Sequence, residues 1–265
     1  MAQFGLIVIG DEILSGKRQD KHLPKVIELL GARGLQLSWA RYLGDRRDHI
    51  TAALSDAFAS GDVVFSCGGI GATPDDHTRQ CAAAALGRAL VLHPQACDLI
   101  EQRMREVALE QGVTWEPGRP DNQQRLQMGC FPEGASIIPN PYNRIPGFSV
   151  GDVHFVPGFP VMAHPMIEGL LDGRYAWLHG SQRQAEHSVI VFGGLEAALT
   201  PLMETIEATH PGIKVFSLPS VDHPQWGRHI ELGVKGSASA VALAYADLLA
   251  GLAACGVQLG PELVR

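Results

Sequence analysis

Residues 61–79, GDVVFSCGGIGATPDDHTR, constrain the fold more than any other stretch of the 265-residue chain. An apolar run at 63–65 ends in Ser66-Cys67, a glycine-rich turn follows, and a helical pattern begins after it. That order predicts a buried strand, a loop of phosphate size and a helix start. Gly68, Gly69 and Gly71 are expected at positive φ, where the main chain can come close to a ligand. Thr73, Asp75, Asp76 and Thr78 fall at the helix N-terminus, where N–H groups lack intrahelical partners. Asp75 is expected to cap that helix, leaving Asp76 to face an anion. Backbone donors thus stand beside carboxylates able to hold a metal ion, for which Mg²⁺ is the expected choice. The plainer alternative is a strand–turn–helix connection with a capping Asp and nothing bound.

The remaining composition bounds the class. With 46% hydrophobic and 18% charged residues, the chain can bury a core in one large or two modest domains. A net charge of -7 counts against a nucleic-acid partner. Residues 1–9 carry no basic n-region, so no secretory signal is expected. The Ala-rich stretch 237–255 contains Ser237, Ser239 and Asp247 and is expected to be a packed helix, with no membrane span. Five cysteines lack metal or disulfide spacing, and a reducing cytoplasm is the expected location.

Residues 4–9 form a continuous apolar run and predict a first buried strand. The following GDEILSGK invites a P-loop reading and fails it. Five residues separate Gly10 from Gly16, and Arg18 follows Lys17 where Ser or Thr is needed. Asp20 is expected to cap a helix whose buried stripe is Leu23, Val26, Ile27 and Leu30, with His22 exposed. Leu35, Leu37 and Trp39 alternate as a strand. Asp45 is placed to cap a helix carrying Ile50, Ala53, Leu54, Ala57 and Phe58 inward.

These blocks together resemble the MoaB/Mog molybdopterin-binding fold. GGIGATPDDHTR is similar to that family's GGLGPT-x-DD-x-T-x loop, and GDEILSG to its GDEIL-x-G segment. The branch it most resembles is the amino-terminal part of CinA proteins, together with the related domain of FAD synthases. Residues 122–128 (NQQRLQM), the segments at 132–135, 138–141 and 146–148, and the FVPGFP turn at 155–160 occur in the family's order. The resemblance implies an α/β fold, a layered, mostly parallel sheet with helices on both faces, over residues 1–178. It implies a cleft for a phosphorylated pterin such as molybdopterin, or for a nucleotide. Its ligand contacts would come from Asp11, Glu12, Ser15, Gly68, Gly69, Gly71, Thr73, Asn122, Pro157 and Gly158. Asp45 and Asp76 would face each other across a pyrophosphate, hold Mg²⁺ and, in an enzyme, position the attacking water. Asp11, Glu12 and Ser15 equally suit a solvated turn. Three positions depart from the pattern: Ile70 for Leu, Ala72 for the loop proline, and Met162 where pyrophosphatase-type members carry Glu. The last counts against turnover of ADP-ribose or FAD-like substrates and leaves an inactive scaffold as a further alternative.

Residues 172–184 are polar with two glycines and mark the expected boundary. Beyond it, 187–192, 213–218 and 230–234 suit strands, and 196–209 and 238–252 suit helices. That β-α-β-β-α order predicts a small α+β domain at 185–265. It resembles the KH-type domain that follows in CinA proteins. Gly193-Gly194-Leu195-Glu196 is not a GXXG clamp, and four Lys/Arg stand against eight Asp/Glu from 185 onward, so RNA binding is not expected. Packing or self-association in a homo-oligomer is the expected role.

Overall fold

The computed structural model describes residues 3–181 and 184–265. Of the residues discussed above, Met1, Ala2, Gln182 and Arg183 lie outside the described ones. The chain divides into two compact units, Met1–Ser181 and Gln182–Arg265.

In the first unit the element order is β1 (Phe4–Ile9), α1 (Asp11–Leu14), α2 (His22–Gly31), β2 (Leu37–Leu43), α3 (Arg47–Ser60), β3 (Val63–Cys67) and α4 (Thr78–Leu86). Then come β4 (Leu90–Leu92), α5 (Pro94–Glu110), α6 (Pro120–Leu126), β5 (Cys130–Pro132), β6 (Ser136–Ile138), β7 (Gly147–Val150), β8 (Val153–Val156) and α7 (Pro160–Asp172). The main sheet runs β2-β1-β3-β8-β7-β6. Its first four strands are parallel, and β7 and β6 turn back antiparallel at one edge. β4 and β5 form a separate antiparallel pair.

β1 is buried at every position because helices cover both faces of the sheet. Phe4, Leu6 and Val8 pack with Val26, Leu29 and Leu30 of α2 and Ala163, Met166 and Ile167 of α7. Ile7 and Ile9 point the other way, with Ile50 and Leu54 of α3 and Cys81 and Ala82 of α4. Each such side chain contributes about 1.5–3 kcal/mol when fully buried. The register sets Val8 beside Cys67, Cys67 beside Val156, and Ile9 beside Leu43. The carboxyl ends of all four parallel strands therefore lie along one side of the sheet, where open α/β sheets form ligand crevices.

Two residues of α2 differ from expectation, for one reason. Successive residues turn by about 100° around a helix. His22, Val26, Leu29 and Leu30 fall on one side, and that side is buried. Ile27 lies past its edge and is 52% exposed. The stripe is thus rotated toward His22, which is buried and not exposed. Asp20 does cap as expected, accepting from the N–H groups of His22 and Leu23.

A buried polar chain ties β8 to the end of α7. Ser149 Oγ meets His154 Nδ1 at 2.7 Å, His154 Nε2 meets Tyr175 Oη at 2.6 Å, and Tyr175 donates to Asp152. Burial pushes the His154 pKa down to about 3, Arg174 pushing the same way and Asp152 opposing it. The folded form therefore keeps His154 neutral while the unfolded chain protonates it below about 6.5. Stability from this group is complete above about 6.5 and falls as pH drops toward 3. Thermal unfolding of His154→Phe is expected to depend less steeply on pH across that window than the unmodified protein. Parallel curves would show that His154 does not carry the linkage.

The second unit is β9 (Ala185–Phe192), α8 (Glu196–Thr209), β10 (Lys214–His223), β11 (Gly227–Gly236), α9 (Ala238–Ala254) and β12 (Gln258–Val264). The antiparallel sheet runs β10-β11-β9-β12, a βαββαβ chain of the ferredoxin-like kind. Val189, Val191, Leu232 and Val234 pack against Leu199 and Ile206 of α8 and Val241, Leu248 and Leu252 of α9. β12 is absent from the expected order because Gly260-Pro261 has the composition of a turn. The register shift between Leu259 and Glu262 accommodates that pair within an edge strand. Among the described residues no helix is long and apolar enough to cross a membrane.

Candidate functional site

The loop leaving β3 is shaped by two close approaches. Gly68 has φ +107, and a Cβ there would lie 2.3 Å from Ile9 O. Gly69 has φ +70, and a Cβ would meet Thr78 Oγ1 at 2.2 Å. That hydroxyl donates to Gly68 O, and Thr78 N donates to Gly69 O, so the first residue of α4 clamps the turn. Gly71 does not have the expected positive φ; it must be glycine because a Cβ would sit 2.5 Å from Asp76 Oδ2.

Asp76 bends back on its own loop. Its Oδ2 accepts from Thr73 N at 2.8 Å and Thr73 Oγ1 at 2.5 Å. Asp75 stays exposed, and α4 has no side-chain cap, contrary to the role expected of Asp75. With Thr73 N, Asp76 N and Thr78 N all paired, the N–H groups of Gly69, Ile70, Gly71 and Ala72 remain without a partner among the described residues. Successive main-chain donors of this kind are the groups from which anion-binding concavities are built.

From the neighbouring strands come acidic and basic groups. Asp45 does not cap α3, which also has no side-chain cap. Instead Asp45 Oδ2 accepts from Asp11 N at 3.0 Å, and Asp11 Oδ1 accepts from Asp45 N at 3.2 Å. This reciprocal pair joins the loops that follow β1 and β2. Burial raises the pKa of Asp45, and the nearby charges of Asp11, Glu12 and Asp75 raise it further, opposed by the Asp11 N–H bond.

A cavity of about 700 Å³ opens between these loops. Glu12, Asp45, Gly68, Gly69, Gly71, Thr73, Asp76, Pro157 and Gly158 line it, so most of the residues singled out in the sequence meet there. Asp11 stands behind Asp45, and Ser15 does not line the cavity. Asn122 is buried in α6, donating to Glu116 O at 2.8 Å, and is likewise not part of the wall. Among the wall residues not singled out, four carry polar or charged side chains: Lys17, Arg18, Asn140 and Asn143. The two cations follow the GDEILSG segment directly, and that adjacency was the available signal. Asn140 donates to Asn143 Oδ1 and Ile145 O, which holds the 140–145 loop in shape. Asn143 Nδ2 reaches Met162 Sδ at 3.6 Å, so this wall ends in a thioether.

Beneath Gly158 lies the buried His22. Gly158 O can only accept, so His22 Nε2, 3.1 Å away, carries the proton. The histidine thus anchors the PGFP turn from below.

Comparison with known proteins places this geometry. The model of a family described as "Probable molybdopterin binding domain" matches residues 5–177. A CinA-like protein of Anaeromyxobacter dehalogenans is 34% identical over 163 residues, covering 60% of this chain and 38% of that one. One from Desulfosudis oleivorans is 31% identical over 215 residues, covering 79% and 50%. The chain thus spans half or less of these relatives' length. The crystal structure of a CinA protein of unknown function from Thermoplasma acidophilum is similar, with a TM-score of 0.54 and 26% identity. It covers 64% of this chain and 97% of its own.

Proposed function

The chain belongs to the probable molybdopterin binding domain family, and from that premise we propose that its cavity binds a small phosphorylated ligand, a pterin phosphate or a nucleotide. The observation that carries this reading is the row of four free N–H groups from Gly69 to Ala72. They open beside Lys17 and Arg18 in one cavity. A phosphate there meets backbone donors fixed before binding and two exposed cations. About 700 Å³ is room for a fused ring beyond the phosphate, against the Asn143–Met162 wall.

Mg²⁺ enters this reading as a partner of the ligand. Among the described residues no three His, Cys, Asp or Glu side chains converge to hold a metal ion by themselves. Mg²⁺ is commonly held by one or two carboxylates together with phosphate oxygens. Asp45 suits that task, because burial and three neighbouring carboxylates leave its charge in need of a cation. Asp76 offers only Oδ1, its other oxygen being committed to Thr73. Bound Mg²⁺ would neutralise phosphate charge at the rim. The same carboxylates favour a second reading, a Mg²⁺-dependent pyrophosphatase for ADP-ribose or FAD-like dinucleotides, with Asp45 and Asp76 as its acidic pair.

Calorimetric titration of ADP-ribose and a molybdopterin analogue, with Mg²⁺ and with EDTA, tests both readings alongside chromatographic product analysis. Binding enhanced by Mg²⁺ without product selects the binding module. Product formation selects the pyrophosphatase, and no binding of either ligand class refutes the site.

Asp45→Asn gives a companion prediction. A carboxylate with a raised folded pKa holds its proton more tightly when folded, so it costs stability as pH rises through that pKa. At pH 7 the Asn variant is therefore expected to melt higher than the unmodified protein while losing the Mg²⁺ enhancement. A lower melting temperature would show that Asp45 is stabilising as an anion.

A further inference from the structure

Ala72, Thr73, Pro74 and Asp76 form a wall of a second cavity, of about 430 Å³, beside the first unit's main cleft. Arg47, His77 and Arg79 line it from the N-terminal turns of α3 and α4, and Gln124 and Gln127 from α6 and the turn after it. Arg79 is only 4% exposed. Its guanidinium donates to Gly71 O at 2.6 Å and to Gln127 O, and its Nε–H is buried without a partner. No bond of this buried cation goes to a carboxylate. A buried charge is costly unless paired, and a buried donor costs free energy while unmade. Asp76 also faces this cavity, but its Oδ2 is bound twice by Thr73.

We propose that this second cavity is an oxyanion site, in which Arg79 and Arg47 bind inorganic phosphate or the phosphate group of a small phosphomonoester. Guanidinium groups present several N–H donors in a fork that matches phosphate oxygens, and helix N-termini add partial positive charge. An anion here neutralises a buried cation that, among the described residues, bonds only to main-chain carbonyls. Because Arg79 also holds Gly71 O, the occupant sits against the wall of the main cavity. Occupancy of the two cavities is therefore linked through the 71–76 stretch, each ligand changing the affinity of the other by the same factor.

Titration of the full chain with inorganic phosphate, and arsenate soaked into its crystals, test the site. The expected results are an anomalous arsenic peak in this cavity beside the Arg47 and Arg79 guanidinium groups and a phosphate affinity reduced tenfold or more in Arg47→Ala and Arg79→Lys. In Gly69→Val, where the main cavity is blocked, this phosphate binding is expected to persist. That variant separates failure here from failure of the main-site reading. If Arg79→Lys does not fold, Arg47→Ala and the arsenic peak decide. A peak confined to the main cavity, no peak at all, or an unchanged phosphate affinity in Arg47→Ala would overturn the proposal.

Discussion

Gly69→Val is expected to abolish binding of ADP-ribose and the pterin analogue in the main cavity, with affinity falling at least about 100-fold, equivalent to about 2.7 kcal/mol. Two effects add at this position. A β-branched residue at φ +70 is a strained outlier, and left-handed backbone alone costs about 1–2 kcal/mol for a non-glycine residue. The new Cβ also displaces Thr78 Oγ1 from Gly68 O, so the turn that presents the free N–H groups opens. The strand and helix on either side are held by separate apolar contacts, so circular dichroism is expected to report a folded protein. Gly69→Ala is the gentler companion and is expected to lose less affinity. A folded Val variant that binds ADP-ribose or the pterin analogue normally would remove the glycine loop from the site.

The other large effect is expected at Asp76. Removing its carboxylate in Asp76→Ala breaks two bonds to Thr73 and releases the loop at its far end. Hydrogen bonds to a charged group contribute about 1.5–3 kcal/mol, so affinity is expected to fall by about tenfold to 100-fold. Asp76→Asn keeps an oxygen that can accept from Thr73 N. In EDTA it is expected to bind nearly as well as the unmodified protein, while losing any gain from Mg²⁺. Isothermal titration of both variants separates loop-holding from metal-holding. Equal losses in Ala and Asn without metal would show that the negative charge itself, and not the Thr73 bonds, keeps the loop closed.

What was legible in the sequence was local. The apolar runs at 4–9 and 63–67 declare strands, the glycine turn declares a loop of phosphate size, and Asp20 declares a cap two residues before α2. The misreadings share a different cause. The partner of Asp45 is Asp11, 34 positions away, so a cap and a brace look alike in one dimension. His22 is buried because the stripe of α2 rotates toward α7, which only packing decides. Asp76 lines the cavity, but the Thr73–Asp76 bridge that claims one of its oxygens does not show in the sequence. Lys17 and Arg18 had only their adjacency to GDEILSG as a signal, and the convergence of strand ends is what brings them to the cavity wall. β12 was hidden by Gly260-Pro261, whose turn composition is overridden by the edge it pairs with.

The sheet of the second unit ends on β10, a ten-residue strand paired on one side only, by β11. Leu218 and Val221 are exposed on it, and an open apolar strand of that length is a template for fibre-like stacking of chains. Pro219 interrupts its run of main-chain donors, and the register breaks between Ser220 and His223. These are the devices by which natural edges refuse an incoming strand. The same residues that make the strand irregular make it a poorer template for polymerisation, and Pro219 contributes by withholding one donor.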